Sequence, residues 1–179
     1  MPKDKDFRLI ESRKLYSGRI VGLEVDRIEI NGKEYWREVV RHPGGVVVLG
    51  VLPDGRIPFV RQHRYPMDRD LLELPAGKID AGEDPLRSAA REMEEETGYQ
   101  ALDLQRVCSF YPTPGFCDEL LHLFFSDNLV PGRKALEEDE ILEVERLSFD
   151  EALALAQEGE ILDGKTLLAL YWRASGVKS

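Results

Sequence analysis

Apolar and polar residues alternate through VDRIEINGKEYWREVV, residues 25–40, on both sides of Asn31-Gly32. Alternation flanking that dipeptide predicts two antiparallel strands joined by a two-residue turn. The pattern changes in GGVVVLGVLPDGRIPFVRQHRY, residues 44–65, where an unbroken apolar run, a Pro-Asp-Gly turn and another strand predict a second hairpin in a central position buried on both faces. LLELPAGKI then leads into a glycine-containing loop, and LDLQRVCSFYPTPG and ELLHLFFSDNLV supply two further strands separated by a stretch rich in Pro and Gly. ILEVERLSF reads as a last strand. DEALALAQEG, with an acidic start, and DGKTLLALYWRAS, with apolar residues at helical spacing, predict two closing helices. Strands, one helix, strands, then helices is the order of a mixed sheet flanked by helices, an α/β fold.

The helix in the middle is defined by its ends and its periodicity. Asp84 and Pro85 suit the N-cap and first helical position, and Gly98 suits a stop, which predicts a helix over residues 85–97. At about 100° per residue, with Glu92 set at zero, Glu95 falls near −60° and Glu96 near +40°, while Glu94 falls near 200° beside Arg87. Leu86, Ala90, Met93 and Thr97 share an apolar sector at about 100–160° that can pack on a sheet. The face that holds Glu92, Glu95 and Glu96 is therefore aimed elsewhere. Carboxylates at this spacing resist full ionisation unless a cation lies between them, and a hard divalent ion with a preference for oxygen resolves the conflict. Arg91, four residues before Glu95, can hold that carboxylate in place. Without further context, such a run of glutamates also suits a solvated acidic face.

Composition narrows the partners. The chain has 179 residues, 42% hydrophobic and 32% charged, which fits one well-buried globular domain. A formal net charge of −10 argues against a nucleic-acid partner. No apolar run reaches the roughly 20 residues a bilayer span needs, and the opening MPKDKDFRLIE lacks the apolar core of a signal peptide, so no membrane partner and a cytoplasmic location are expected. Cys108 and Cys117 are read as buried free thiols, and His42, His63 and His122 as side chains of strands or surface.

The full stretch GKIDAGEDPLRSAAREMEEETGY, Gly77 to Tyr99, resembles the Nudix box. Gly77, Glu83, Arg91, Glu92, Met93, Glu95, Glu96 and Gly98 fill its defining positions, with Tyr99 as the closing apolar residue. LLELPAGKI, SFYPTPGFCDE with its Pro114, and DEALALAQEGEILDGKTLLAL are further similar to the ADP-ribose pyrophosphatase branch, which also cleaves other nucleoside diphosphate sugars. The resemblance implies a Nudix α/β/α sandwich over residues 43–179 with an N-terminal antiparallel β extension over 1–42 that dimerises. It implies hydrolysis of the pyrophosphate bond of ADP-ribose or a related nucleoside diphosphate sugar, with Mg2+, or Mn2+ in its place, as cofactor. Two alternatives stay open: a pyrophosphatase for another nucleotide, such as a nucleoside triphosphate or dinucleoside polyphosphate, and a catalytically silent nucleotide-sugar-binding protein.

The same resemblance assigns roles. Glu92, Glu95 and Glu96, with the backbone carbonyl of Ala76, are the expected metal ligands, and Gly77, Glu83 and Gly98 support them. Glu95 and Arg91 also belong to the catalytic set. Glu140, then Glu138, are the candidates for a general base carried on a late loop, although EEDE before a strand also suits a solvated turn. Arg37 and Arg64 are expected on phosphates and Glu73 on ribose or base, with surface ion pairing as the other reading of each. Phe116 is expected near the terminal sugar. Residues 16–20 are expected to reach a nucleobase across a homodimer.

Overall fold

A computed structural model describes residues 7–136 and 141–176; Glu138 and Glu140 lie outside the described residues. The chain falls into two compact units.

The first unit joins the residues up to Gly44 with Tyr111–Leu120. Its strands β1 (Phe7–Ser17), β2 (Gly22–Ile30) and β3 (Lys33–Arg41) form an antiparallel sheet in that order. Asn31 and Gly32, at φ 51° and 75°, make the expected tight turn between β2 and β3. The later segment is laced to the end of β3. Val40 N–H donates to the Phe116 carbonyl at 2.7 Å, Asp118 N–H donates to the Val40 carbonyl at 3.1 Å, and the Arg41 guanidinium donates to both Glu24 (2.7 Å) and Asp118 (3.1 Å).

The second unit holds, in chain order, β4 (Gly45–Gly50), β5 (Ile57–Arg64), β6 (Arg69–Glu73), β7 (Ala76–Lys78), α1 (Pro85–Thr97), β8 (Tyr99–Ala101), β9 (Gln105–Phe110), β10 (Leu121–Ser126), β11 (Leu129–Pro131), β12 (Leu142–Leu147), α2 (Phe149–Glu158) and α3 (Gly164–Ala174). One sheet runs β7-β4-β10-β9, with β4 and β10 parallel and the other pairs antiparallel; a second runs β12-β5-β6, and β8 pairs with β11. Strand β4 is buried on both faces, as its run of valines predicts, and it divides the core. Val46 and Val48 pack with Ala89 and Met93 of α1, whereas Val47 and Leu49 pack with β5, β6, α2 and α3 through Phe59, Leu72, Ala152 and Leu170. The helix–sheet–helix layering follows from that alternation.

Three expectations change. Residues 44–65 do not form a hairpin, because both edges of β4 are taken by β7 and β10, and β5 pairs with β6 and β12 instead. Helix α2 is capped by Ser148, not by an acid: its hydroxyl accepts from Glu151 N–H while the Glu151 carboxylate accepts from Ser148, a reciprocal capping box. Helix α1 spans the expected residues, but its inward face is rotated. Ala89 and Met93 are fully buried and Glu92 and Glu96 nearly so, while Leu86 is 46% exposed. The inward direction lies near about +60° on the wheel that puts Glu92 at zero, so two glutamates flank the apolar seam and Leu86 turns to its edge. The two cysteines are free and half-buried.

Candidate active site

Local sequence sets α1 at the right place. The Asp84 carboxylate accepts from Leu86 N–H at 2.8 Å, Pro85 opens the first turn, and Gly98 closes the last at φ 76°. The helix thus presents its acids to β7. A Cβ added to Gly77 would lie 2.0 Å from the Glu92 carboxyl carbon, so the strand makes room for that carboxylate only because residue 77 has no side chain. Next to it, Ala76 N–H donates to Glu96 Oε2 at 3.1 Å. Glu94 points away: it accepts from the Gln100 amide (2.8 Å) and from Arg133 N–H (3.1 Å).

Arg91 is the hub. Its Nη1 donates to Glu92 (2.7 Å) and Glu95 (3.0 Å), and its Nε and Nη2 donate to Glu83 (3.2 and 3.0 Å). Glu83 also accepts from the Ser88 hydroxyl at 2.7 Å. The guanidinium and that hydroxyl hold the Glu83 carboxyl down to about 2, and Glu83 in turn is the main reason the Arg91 pKa is raised above its ordinary value. Ser88, fully buried, is a functional residue the chain signals only by its position on the same helix face three residues before Arg91.

Glu83, Glu92 and Glu95 meet one guanidinium and Glu96 lies beside them on the Ala76 amide, four carboxylates against one cation and an excess of three negative charges. All donors are hard oxygens, and the space over Gly77 is reserved for one of them, which suits a hard divalent cation. Among the described residues no three acidic, His or Cys side chains form a metal cage unaided. An ion here would complete its shell with backbone carbonyl, water and substrate phosphate, as magnesium commonly does.

A second cluster in the same unit surrounds Glu73. Its side chain is 1% exposed and accepts from Arg64 Nε and Nη2 (2.7 and 2.6 Å) and from Lys165 Nζ. Burial pushes the Glu73 pKa up, but the two cations outweigh it and the net shift is downward. Of the two readings open to Glu73, a contact with ribose or base and an ion pair, the described contacts are ion pairs with Arg64 and Lys165, as a buried charge needs its partners close. Arg37 and Phe116 lie in the other unit. The Arg37 guanidinium sits over the Tyr35 ring at 5.6 Å and donates to the Trp36 carbonyl, and Phe116 is 58% exposed. The structure therefore gathers Ala76, Gly77, Glu83, Arg91, Glu92, Glu95 and Glu96 into one site.

Residues 41–170 match the NUDIX domain, and the chain belongs to that family. It is 40% identical over 173 residues to the ADP-ribose pyrophosphatase of Bacillus subtilis (strain 168), covering 95% of this chain and 94% of the relative. It is 41% identical over 168 residues to the methanol dehydrogenase activator of Bacillus methanolicus, covering 92% and 91%. It is also 36% identical over 160 residues to a GDP-mannose pyrophosphatase of Yersinia enterocolitica, covering 82% and 83%. A crystal structure of an ADP compounds hydrolase shares the fold, with a TM-score of 0.83 at 19% identity over 94% of this chain and 92% of the other.

Proposed function

We propose that this protein hydrolyses the pyrophosphate bond of ADP-ribose or a related nucleoside diphosphate sugar, giving a nucleoside monophosphate and a sugar phosphate. The observation that carries the reading is the 40% identity across 95% of the chain to an ADP-ribose pyrophosphatase. The assembled box carboxylates support it.

Glu92, Glu95 and Glu96, with the Ala76 carbonyl, would hold Mg2+ or Mn2+. When bound, such an ion supplies charge neutralisation on the diphosphate oxygens and acidifies water. Arg91, anchored by Glu83, keeps Glu92 and Glu95 from swinging apart. Arg64 spends two nitrogens on Glu73 and keeps Nη1 for a phosphate oxygen. Arg37 takes a second phosphate, Phe116 borders the sugar, and Glu140, or Glu138 in its place, takes a proton from the attacking water. The residues up to 42 act as a dimerising extension to a hydrolase domain over 43–179, and residues 16–20 reach the nucleobase bound by a second subunit. Phe7, Leu9, Leu15, Tyr16 and Trp36, each more than half exposed on the N-terminal strands, give a homodimer an apolar surface to bury. The protein acts in the cytoplasm; among the described residues no helix is long and apolar enough to cross a membrane.

The test is incubation with ADP-ribose and Mg2+ with both products identified, repeated in oxygen-18 water to mark the attacked phosphorus. AMP and ribose 5-phosphate are expected. Release of inorganic diphosphate from nucleoside triphosphates without ADP-ribose cleavage would overturn the reading, as would tight ADP-ribose binding without turnover. A second reading rests on the 41% identity to a methanol dehydrogenase activator. It predicts that adding the protein raises the turnover of a methanol dehydrogenase, and an unchanged rate removes it.

A further inference from the structure

We propose that Lys165 is a positioning residue that fixes the phosphate-binding guanidinium of Arg64 through Glu73; the role of Arg64 itself rests on the function proposed above. Glu73 Oε2 accepts from Arg64 Nη2 at 2.6 Å and also from Lys165 Nζ, so one buried oxygen lies between two cations. Lys165 enters from the first turn of α3, 92 residues away in the chain, and its ammonium is held on the other side by Asp163 Oδ1 at 2.9 Å.

Asp163 is also the N-cap of that helix. Its second oxygen accepts from Thr166 N–H (3.0 Å) and from the Thr166 hydroxyl (2.6 Å), and that hydroxyl accepts from Leu74 N–H at 2.8 Å. The first turn of α3 therefore grips Glu73 by its side chain and Leu74 by its backbone, two residues before Ala76. Fold and charge are divided between neighbours. Thr166 ties the helix to the strand end, whereas the Lys165 ammonium adds a charge that the backbone clasp does not need.

That charge changes what Arg64 can do. Arg64 and Lys165 carry two positive charges against the two negative charges of Glu73 and Asp163. Without Lys165, the set containing Arg64 would carry a net negative charge, and Glu73 would be pinned from one side only. Both effects weaken a diphosphate contact: the first by repulsion, the second by letting the bidentate fork rotate. Lys165 is 12% exposed at its side chain, and its contacts are made with acids rather than offered to solvent.

A double-mutant cycle tests this. Lys165→Met should raise KM for ADP-ribose about tenfold with kcat held within about threefold, and Lys165→Arg should recover most of the loss. In an Arg64→Ala background, adding Lys165→Met should raise KM no further. Lys165→Gln, which keeps a donor but not the charge, should match Met and serves if Met does not fold. An equal rise in KM in both backgrounds would overturn the inference, as would a fall in kcat that Arg does not recover. The same cycle read as affinity for inorganic diphosphate by calorimetry, on metal-free protein, separates the two ideas. Absence of ADP-ribose hydrolysis in the unmodified protein would sink the substrate reading, whereas additive losses of diphosphate affinity would sink the coupling of Lys165 to Arg64.

Discussion

Gly77 lies directly under the Glu92 carboxylate, so close that a β-carbon there would come within 2.0 Å of Cδ and 2.2 Å of Oε1. The backbone at Gly77 is not among the left-handed glycines, so its identity is set by that contact and not by conformation. Gly77→Ala should therefore leave β7 intact and push Glu92 off its position. The expected loss is about 10–100-fold in metal affinity, the scale seen when a ligand loses its orienting neighbours. Mn2+ titration followed by electron paramagnetic resonance measures it; unchanged affinity would remove Glu92 from the ligand set.

Glu96 faces the same strand through a backbone bond rather than through space. Its Oε2 accepts from Ala76 N–H, and an amide oxygen can accept that bond equally well. Glu96→Gln should thus keep its melting temperature while losing the negative charge a divalent ion needs. A fall in kcat of roughly 100-fold, about 2.7 kcal/mol of barrier, is expected from steady-state assays with Mg2+. Equal turnover in the variant would refute the metal assignment.

The end of α1 makes a separate claim about stability. Gly98 has φ 76°, and its N–H donates to the Glu94 carbonyl at 2.8 Å. An alanine there meets Lys134 only at 3.5 Å, so its cost is conformational and not steric. Gly98→Ala should cost about 1 kcal/mol and lower the melting temperature by about 2–4 °C. Gly98→Asn should cost less, because asparagine tolerates the left-handed region. Calorimetric melts of the three proteins give the order.

What the sequence made legible was local. Asp84, Pro85 and Gly98 delimit α1 because caps act within a turn, and the 100° step separated Glu94 from Glu92, Glu95 and Glu96 without reference to any other element. The same step misplaced the inward face, since hydrophobicity alone put Leu86 in the seam, whereas the room over Gly77 lets Glu92 turn inward. Long-range partners were not readable. Arg41 meets Asp118 across 77 residues and Lys165 meets Glu73 across 92, separations over which the chain pattern gives no signal. The glutamate in LLELPAGKI was open to a substrate contact or an ion pair, and nothing nearby in the chain announced Lys165 as a partner.

The Arg91–Glu83 contact carries a pH dependence whose sign is fixed. The Glu83 carboxyl drops from 4.5 to about 2 in the folded protein because Arg91 and Ser88 hold its ionised form. A group lowered on folding stabilises the native state above its unfolded value and loses that contribution as the pH falls towards the folded one. The window is therefore between about 4.5 and about 2. Glu83→Gln keeps an acceptor for the Ser88 hydroxyl but does not ionise. The variant should melt below the parent at pH 7, and the gap should narrow as melts are repeated from pH 5 down to pH 3. A gap constant across that range would mean that the carboxylate's charge is not what holds Arg91, and that Glu92, Glu95 and the Lys78 carbonyl fix the guanidinium at the centre of the site.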